Sequence, residues 1–475
     1  MVLSVPLSCQ QPLPALVPAT ATPQEQKPAD APKTEPAPWQ LARAVGTPTW
    51  LHVSGEQRTR YETLDEQFRV RTPIPYGEDE DVLALRTSLR FDATEDVVAG
   101  TLEILDARQY GIDDTSFVDT TMVNTTDVLQ AYGDLRLPEL GGGKSHLRAG
   151  REAIDLGSRR LMARNAYRNT INAFNGVGWL WQGSESTARV FWMLPVDRLP
   201  ADFASLQDNE WDLDVQSLDT QFAGLYWSTK TAERTTLELY VLGLDERGVS
   251  TRRRELLTPG LRFFHNTNNN QPVARRNEWF YEVELAGQLG ESKANTQSAS
   301  PTLDHLAGFA HASLGYSFDA PLSPAVQVAY DYATGDQDPT DGSNERFDTL
   351  YGARRFEYGP TGIWGAVARA NLNSPELRLL LQPAKSVSVM IAYRGVWLAE
   401  ARDSWTSAGL RDASGNSGNH VGEQIEARVR WELIPKSFDV ELGGAVLLAG
   451  SFQESASAGV AQDASYGYVQ STWRF

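Results

Sequence analysis

The sequence predicts an all-β fold: a transmembrane antiparallel β-barrel of about 18 strands (16–18), with a disordered N-terminal linker in front of it. Three observations predict this. From Trp50 onward, segment after segment alternates apolar and polar residues with period two, the pattern of strands with one apolar and one polar face. Short links between these segments alternate with long polar ones, the asymmetry of a barrel with tight turns at one membrane face and long loops at the other. The chain ends on Phe475, with Val469 and Trp473 on the same strand face.

Composition agrees. The 475 residues include 13 Trp and 16 Tyr, and 10% are aromatic, as expected of a barrel that places amphipathic rings in girdles at both water interfaces. No run approaches the about 18 apolar residues of a spanning helix. The formal net charge of -18 would repel nucleic acid. One cysteine, Cys9, forms no internal disulfide or thiolate cluster, and the six histidines have no ligand spacing; no cofactor is expected.

In chain order, Val2 to Leu7 is a short apolar run with no Lys or Arg before it, expected to be the remnant of a signal peptide; Leu7-Ser8-Cys9 fits a lipoprotein cleavage box poorly. Gln10 to about Thr47 is rich in Pro, Ala and Thr and reads as a disordered linker. The expected division is therefore 1–46, signal remnant and linker, and 47–475, barrel. Within the barrel, Leu85, Leu89 and Phe91 oppose Arg86, Ser88 and Arg90. Leu129, Ala131, Leu135 and Leu137 oppose Gln130, Tyr132, Asp134 and Arg136. Trp279, Tyr281, Val283, Leu285 and Leu289 oppose Phe280, Glu282, Glu284 and Gln288, and Val326, Val328, Tyr330 and Tyr332 oppose Gln327 and Asp331. Ile425, Ala427, Val429, Trp431 and Leu433 face away from Gln424, Glu426, Arg428, Arg430 and Glu432. Long polar connections fall at Tyr110 to Thr126, Pro195 to Thr220, Thr334 to Pro375 and Ala399 to Gly422. At about 24 residues per strand and connection, the chain makes 16 to 18 strands.

Against the acidic background, His146 to Leu180 holds six arginines (Arg148, Arg151, Arg159, Arg160, Arg164 and Arg168) and only two acids, Glu152 and Asp155. Such a reversal is either a solvated basic face or a set of guanidinium groups that meets an anion.

Arg148-Ala149-Gly150-Arg151, Gly157-Ser158-Arg159-Arg160-Leu161, Arg168-Asn169-Thr170 and Phe174-Asn175-Gly176 resemble the core signature of the alginate-export porins of Gram-negative outer membranes. Leu129 to Leu135, Leu105-Asp106-Ala107-Arg108 and the later Thr334 to Gly342 are also similar to that family, so the resemblance runs from about Thr47 onward. Asn175 stands where the family usually has Asp. The resemblance implies an 18-stranded monomeric barrel in the outer membrane, surrounded by its lipid, serving periplasmic export proteins and passing an anionic uronate polysaccharide through an arginine-lined pore. Guanidinium is permanently charged and pairs carboxylate bidentately, which lowers the cost of carrying a polyanion through a narrow wet pore. The pore-lining candidates are Arg86, Arg108, Arg148, Arg151, Arg159, Arg160 and Arg168, with Asp106 as an orienting acid. Strict alternation puts Arg148 and Arg151 on opposite faces unless a bulge intervenes at Gly150.

Weaker signals remain. Asp336, Asp338 and Asp341 have spacing that could hold Ca²⁺, although a solvated acidic turn is the commoner meaning of such a loop. Glu282 and Glu284 are a carboxylate pair, but acids are expected on any polar lumen face. Besides the polysaccharide channel, the sequence leaves open a general uptake channel for small anions or sugars and, from another class, a secreted β-rich polysaccharide lyase.

Overall fold

A computed structural model describes residues 41–475 apart from 71–75, 249–250, 269–270, 273–275, 294, 298 and 457–461. The expected signal remnant and nearly all of the linker lie outside the described residues; the last linker residues, Leu41–Val45, form a short helix, α1.

Eighteen strands make the barrel. They are β1 (Leu51–Asp65), β2 (Glu80–Thr94), β3 (Val98–Tyr110), β4 (Asn124–Leu140), β5 (Gly143–Glu152), β6 (Phe174–Gln182), β7 (Ser186–Pro195), β8 (Thr220–Ala232) and β9 (Thr235–Glu246). They continue as β10 (Glu255–His265), β11 (Glu278–Lys293), β12 (Thr302–Ser317), β13 (Ala325–Ala333), β14 (Leu372–Ala384), β15 (Val387–Trp397), β16 (His420–Ile434), β17 (Phe438–Ala449) and β18 (Ala464–Arg474). Each pairs antiparallel with its sequence neighbours. The barrel closes where β1 meets β18, from Glu56 opposite Arg474 to Asp65 opposite Ser465, so no sheet edge is left open to lipid. Among the described residues no helix is long and apolar enough to cross a membrane.

Alternation places the two faces. Leu239, Val241, Leu261, Val283, Leu285, Ile425 and Val429 are exposed on the outside, whereas Arg58, Arg60, Glu238, Arg262, Glu282, Glu284 and Glu426 are buried inside. That is the reverse of a water-soluble sandwich, in which the apolar faces would pack on a core; a soluble secreted lyase does not fit it. One expected face is corrected. A register shift in the β3–β4 pairing at Glu103/Ile104 turns Leu129 inward, where it packs with Leu105, Ile171, Ala173 and Val196.

Short turns gather at one end of the barrel and the longest loops at the other, with the 266–277 connection as a longer link on the turn side. Gly141–Gly142, Glu233–Arg234 and Lys385–Ser386 are two-residue links at one end, and residues 153–173, 196–219, 334–371 and 398–419 lie at the other. The chain end belongs to the short-turn side, where Phe438 stacks on Trp473 at 4.0 Å and Trp279 meets Tyr316 edge-on at 4.9 Å, an aromatic girdle at one membrane interface.

Candidate functional site: a guanidinium-lined mouth above a paired constriction

Two of the long loops do not stay outside. Segment 153–173, between β5 and β6, folds into the lumen and reaches the inner face of β1. There Arg58 of β1 donates to the carbonyls of Ala166 and Tyr167 at 3.0 Å and of Arg168 at 2.8 Å, and Arg60 donates to Tyr167 O at 2.8 Å. Inward arginines thus satisfy backbone carbonyls that a loop in the lumen would otherwise leave unpaired. Segment 334–371, between β13 and β14, bonds to the first: Tyr351 N donates to Leu161 O at 3.0 Å and Ala353 N to Arg159 O at 2.9 Å. The approach is close enough to require glycine at 352, since a Cβ there would sit 1.7 Å from Arg160 O. Together the segments bury Phe347, Tyr358, Ile363 and Trp364 inside the barrel.

Below the mouth, the inserted segments are tied to the wall by ion pairs. Arg160, fully buried, reaches Glu282, Glu284 (2.5 Å) and Glu357 (2.5 Å). Arg369 pairs with Glu357, Arg262 with Glu238 (3.1 Å) and Glu282 (2.9 Å). Arg394 pairs with Asp331 (3.1 Å) and Glu376, Arg378 with Glu376 (2.5 Å), and Arg355 with Glu426 (2.5 Å) and Glu441 (3.7 Å). Six arginines share eight carboxylates, so this constriction is charged but not electropositive. His311, Asp331 and Glu357 bring ligand atoms within 4.8 Å of one another, yet both acids are already committed to guanidinium groups, which would repel a divalent ion.

The sequence candidates divide accordingly. Arg86, buried on the inner face of β2, pairs with Glu56 at 2.7 Å and donates to Ala166 O at 2.7 Å and Arg168 O at 3.1 Å; it supports the inserted loop. Arg148 faces inward but is held by Asp134 (2.8 Å) and Glu152 (3.0 Å). Arg159, with φ of +69°, has its guanidinium 4.7 Å from the Phe356 ring centroid. Arg160 is the network centre. Asp106 and Arg108 are corrected: they pair with each other at 3.0 Å on the face of β3 that carries exposed Leu102 and Tyr110, so they do not line the pore. Arg151 is corrected too. The β4–β5 and β5–β6 registers run unbroken through Gly150, so Arg151 lies on the opposite face from Arg148, bound to Asp127 at 2.8 Å and to Asn175 at 3.3 Å. In the acidic loop, Asp338 closes its own turn on Thr340 and Asp341 on Ser343, while Asp336 is buried against Asp403; the three do not converge on an ion.

Arg168 leads to residues that sequence reasoning missed. Its guanidinium lines two adjoining cavities of about 300 and 270 Å³ between the loops. Arg354 lines both, Arg198 the first, and Arg69 the second. None of the four has a carboxylate within 4.0 Å among the described residues, and one acid, Asp119, lines the second cavity. Arg69 and Arg354 converge so that a Cβ on Gly365 would lie 3.5 and 3.4 Å from their Nη2 atoms. Burial, and then the neighbouring Arg354, push Arg168 down to about 9; burial with Arg69 and Arg369 nearby pushes Arg354 down to about 10, and burial pushes Arg69 down to about 10. Each is still a cation at neutral pH, in a place where an anion would relieve both desolvation and mutual repulsion.

A closed membrane barrel with a polar lumen, narrowed by its own loops, is an outer-membrane channel. The chain belongs to the alginate export family, whose model matches residues 49–466. Solved porins share the fold. OccAB1 of Acinetobacter baumannii superimposes with a TM-score of 0.57 at 13% identity, over 90% of this chain and 96% of that one. OccK9 (OpdG) of Pseudomonas aeruginosa gives 0.57 at 12%, over 90% and 98%, and a BenF-like porin from Pseudomonas fluorescens Pf-5 gives 0.57 at 10%, over 90% and 98%. No curated protein sequence matches the chain.

Proposed function

We propose that the channel passes an anionic polysaccharide of the alginate type, a polyuronate, and that Arg69, Arg168, Arg198 and Arg354 hold its carboxylates at the loop-side mouth. The observation that carries this is their arrangement: four arginines around two cavities that share Arg168 and Arg354 in their linings, with one acid among them, in a protein of net charge -18. A polyanion repelled by the acidic exterior finds there a local region of opposite sign. The paired constriction beneath offers alternating acids and guanidinium groups, which keeps binding weak enough for release. Closure of the barrel within one chain fits a monomer, with periplasmic proteins delivering the cargo. A general uptake channel for small anions is the second candidate, favoured by the shared fold with the Occ porins.

Single-channel recording in planar bilayers separates the two. For a polyuronate channel, oligouronate blocks current at far lower concentration than monomeric uronate, and Arg168→Gln with Arg354→Gln raises the concentration needed. Equal block by monomer and oligomer, or block unaffected by the double variant, contradicts the proposal.

A further inference from the structure

The outer wall carries a groove of about 610 Å³ near the loop ends of β7 to β12, within the about 300–1,000 Å³ typical of ligand sites. It follows from strand register. Trp192, Ala223, Gly243, Leu257, Leu289 and Leu306 stand directly opposite one another across six consecutive strands. Within this row Ala223 and Gly243 are small and their neighbours are Trp or Leu, so the wall dips between Trp192 on one side and Leu257 and Leu289 on the other. A Cβ on Gly243 would meet nothing within 4 Å. Leu257, Leu289 and Leu306 are 49%, 48% and 63% exposed, and they continue the lipid-facing band.

The next row toward the loops reads Gln221, Asp245, Glu255, Glu291 and Asp304, again each opposite the next. Four carboxylates thus face outward in adjacent strands about 4.8 Å apart, a like-charge alignment that costs sheet stability. Asp245 pairs with Arg247; Glu255, Glu291 and Asp304 have no Lys, Arg or His within 4.0 Å among the described residues. All three are exposed, and a cation lying over the row would offset their mutual repulsion.

We propose that this groove binds one outer-membrane lipid, with an acyl chain over Ala223 and Gly243 and a head group carrying a primary amine against the carboxylate row. Two observations select that occupant: the groove is continuous with the lipid-facing surface, and its polar end is acidic. An anionic head would be repelled, and the acids are not gathered closely enough to chelate an ion. The site is separate from the lumen, so lipid binding and conduction are independent.

The test is native mass spectrometry of the full-length, detergent-extracted protein titrated with dioleoyl phosphatidylethanolamine or dioleoyl phosphatidylglycerol, with and without EDTA. Wild type retains the amine lipid in preference to the glycerol lipid, and EDTA changes nothing. Gly243→Leu fills the groove and retains neither lipid above the detergent background. Glu255→Gln with Glu291→Gln brings the two lipids to parity. Unaltered single-channel conductance in both variants shows that they fold. Equal retention of the two lipids by wild type, preference for the anionic lipid lost with EDTA, or unchanged retention by Gly243→Leu overturns the proposal.

Discussion

Glu357 holds the inserted loop, and Glu357→Gln tests how firmly. Its carboxylate receives both Arg160 and Arg369, each fully buried. Removing one partner of a buried ion pair costs about 3–5 kcal/mol. The lower end, about 3 kcal/mol, applies here, because Arg160 keeps Glu282 and Glu284 and Arg369 keeps the Arg160 and Ala353 carbonyls. If opening of segment 334–371 is a local event, that cost raises its open population about a hundredfold, without unfolding the strands. Hydrogen exchange read by mass spectrometry on the reconstituted barrel then shows acceleration confined to 334–371 and 153–173, and single channels show added flicker between conductance levels. Unchanged exchange in those segments would refute the role given to the ion pairs; acceleration spread over the strands would refute the idea that the loops open as a unit.

Two further outcomes follow from charges in the loops. Asp119 is the lone acid beside Arg69, Arg168 and Arg354, so Asp119→Asn strengthens anion preference. Removing one unit charge about 4 Å from a bound anion is worth about 1 kcal/mol at the dielectric of water, about fivefold in local anion occupancy. Reversal potentials under a salt gradient measure it, and a shift toward cations counts against the mouth as the selective region. Asp214, which accepts from Leu199 N and Asn124 Nδ2, is pushed up to about 6 by burial and then by Asp127 nearby. An acid with a raised folded pKa favours the fold when protonated, so the added protection of segment 196–219 is full below about 4, is lost as pH rises from there through about 6, and is absent above it. Exchange rates corrected for intrinsic pH dependence report this, and Asp214→Asn removes the pH response; a variant that keeps it assigns the response elsewhere.

Strand number, face polarity and loop alternation were legible because period two is enforced over every crossing by lipid on one side and water on the other. Alternation also held the answer for Arg151 and Arg108. Counted outward from Leu102 and Ile104, Asp106 and Arg108 fall on the apolar face, a parity that the basic residue type hides. Register in β4 was not legible, because a bulge at Leu129 changes no residue type. The mouth was only partly readable. Arg168 stood in a visibly basic stretch, but Arg69, Arg198 and Arg354 come from three other loops, and no local pattern tells which loops fold together. Sequence density also misled: the adjacent arginines of the basic stretch, Arg159 and Arg160, do not form an electropositive pore, since Arg160 is matched by Glu282, Glu284 and Glu357 from distant segments. Arg58 and Arg60 carried a signal in their alternation with Thr59 and Tyr61, which marks them as lumen-facing supports.

The central claim, that this barrel conducts a polyuronate past arginines that make no ion pair of their own among the described residues, is tested most directly by efflux from proteoliposomes. Vesicles bearing the channel are loaded with fluorescent oligouronate and neutral dextran of equal size. Oligouronate leaves and dextran stays, and Arg168→Gln with Arg354→Gln slows oligouronate alone. Equal escape of both solutes, or oligouronate efflux indifferent to the two arginines, contradicts it.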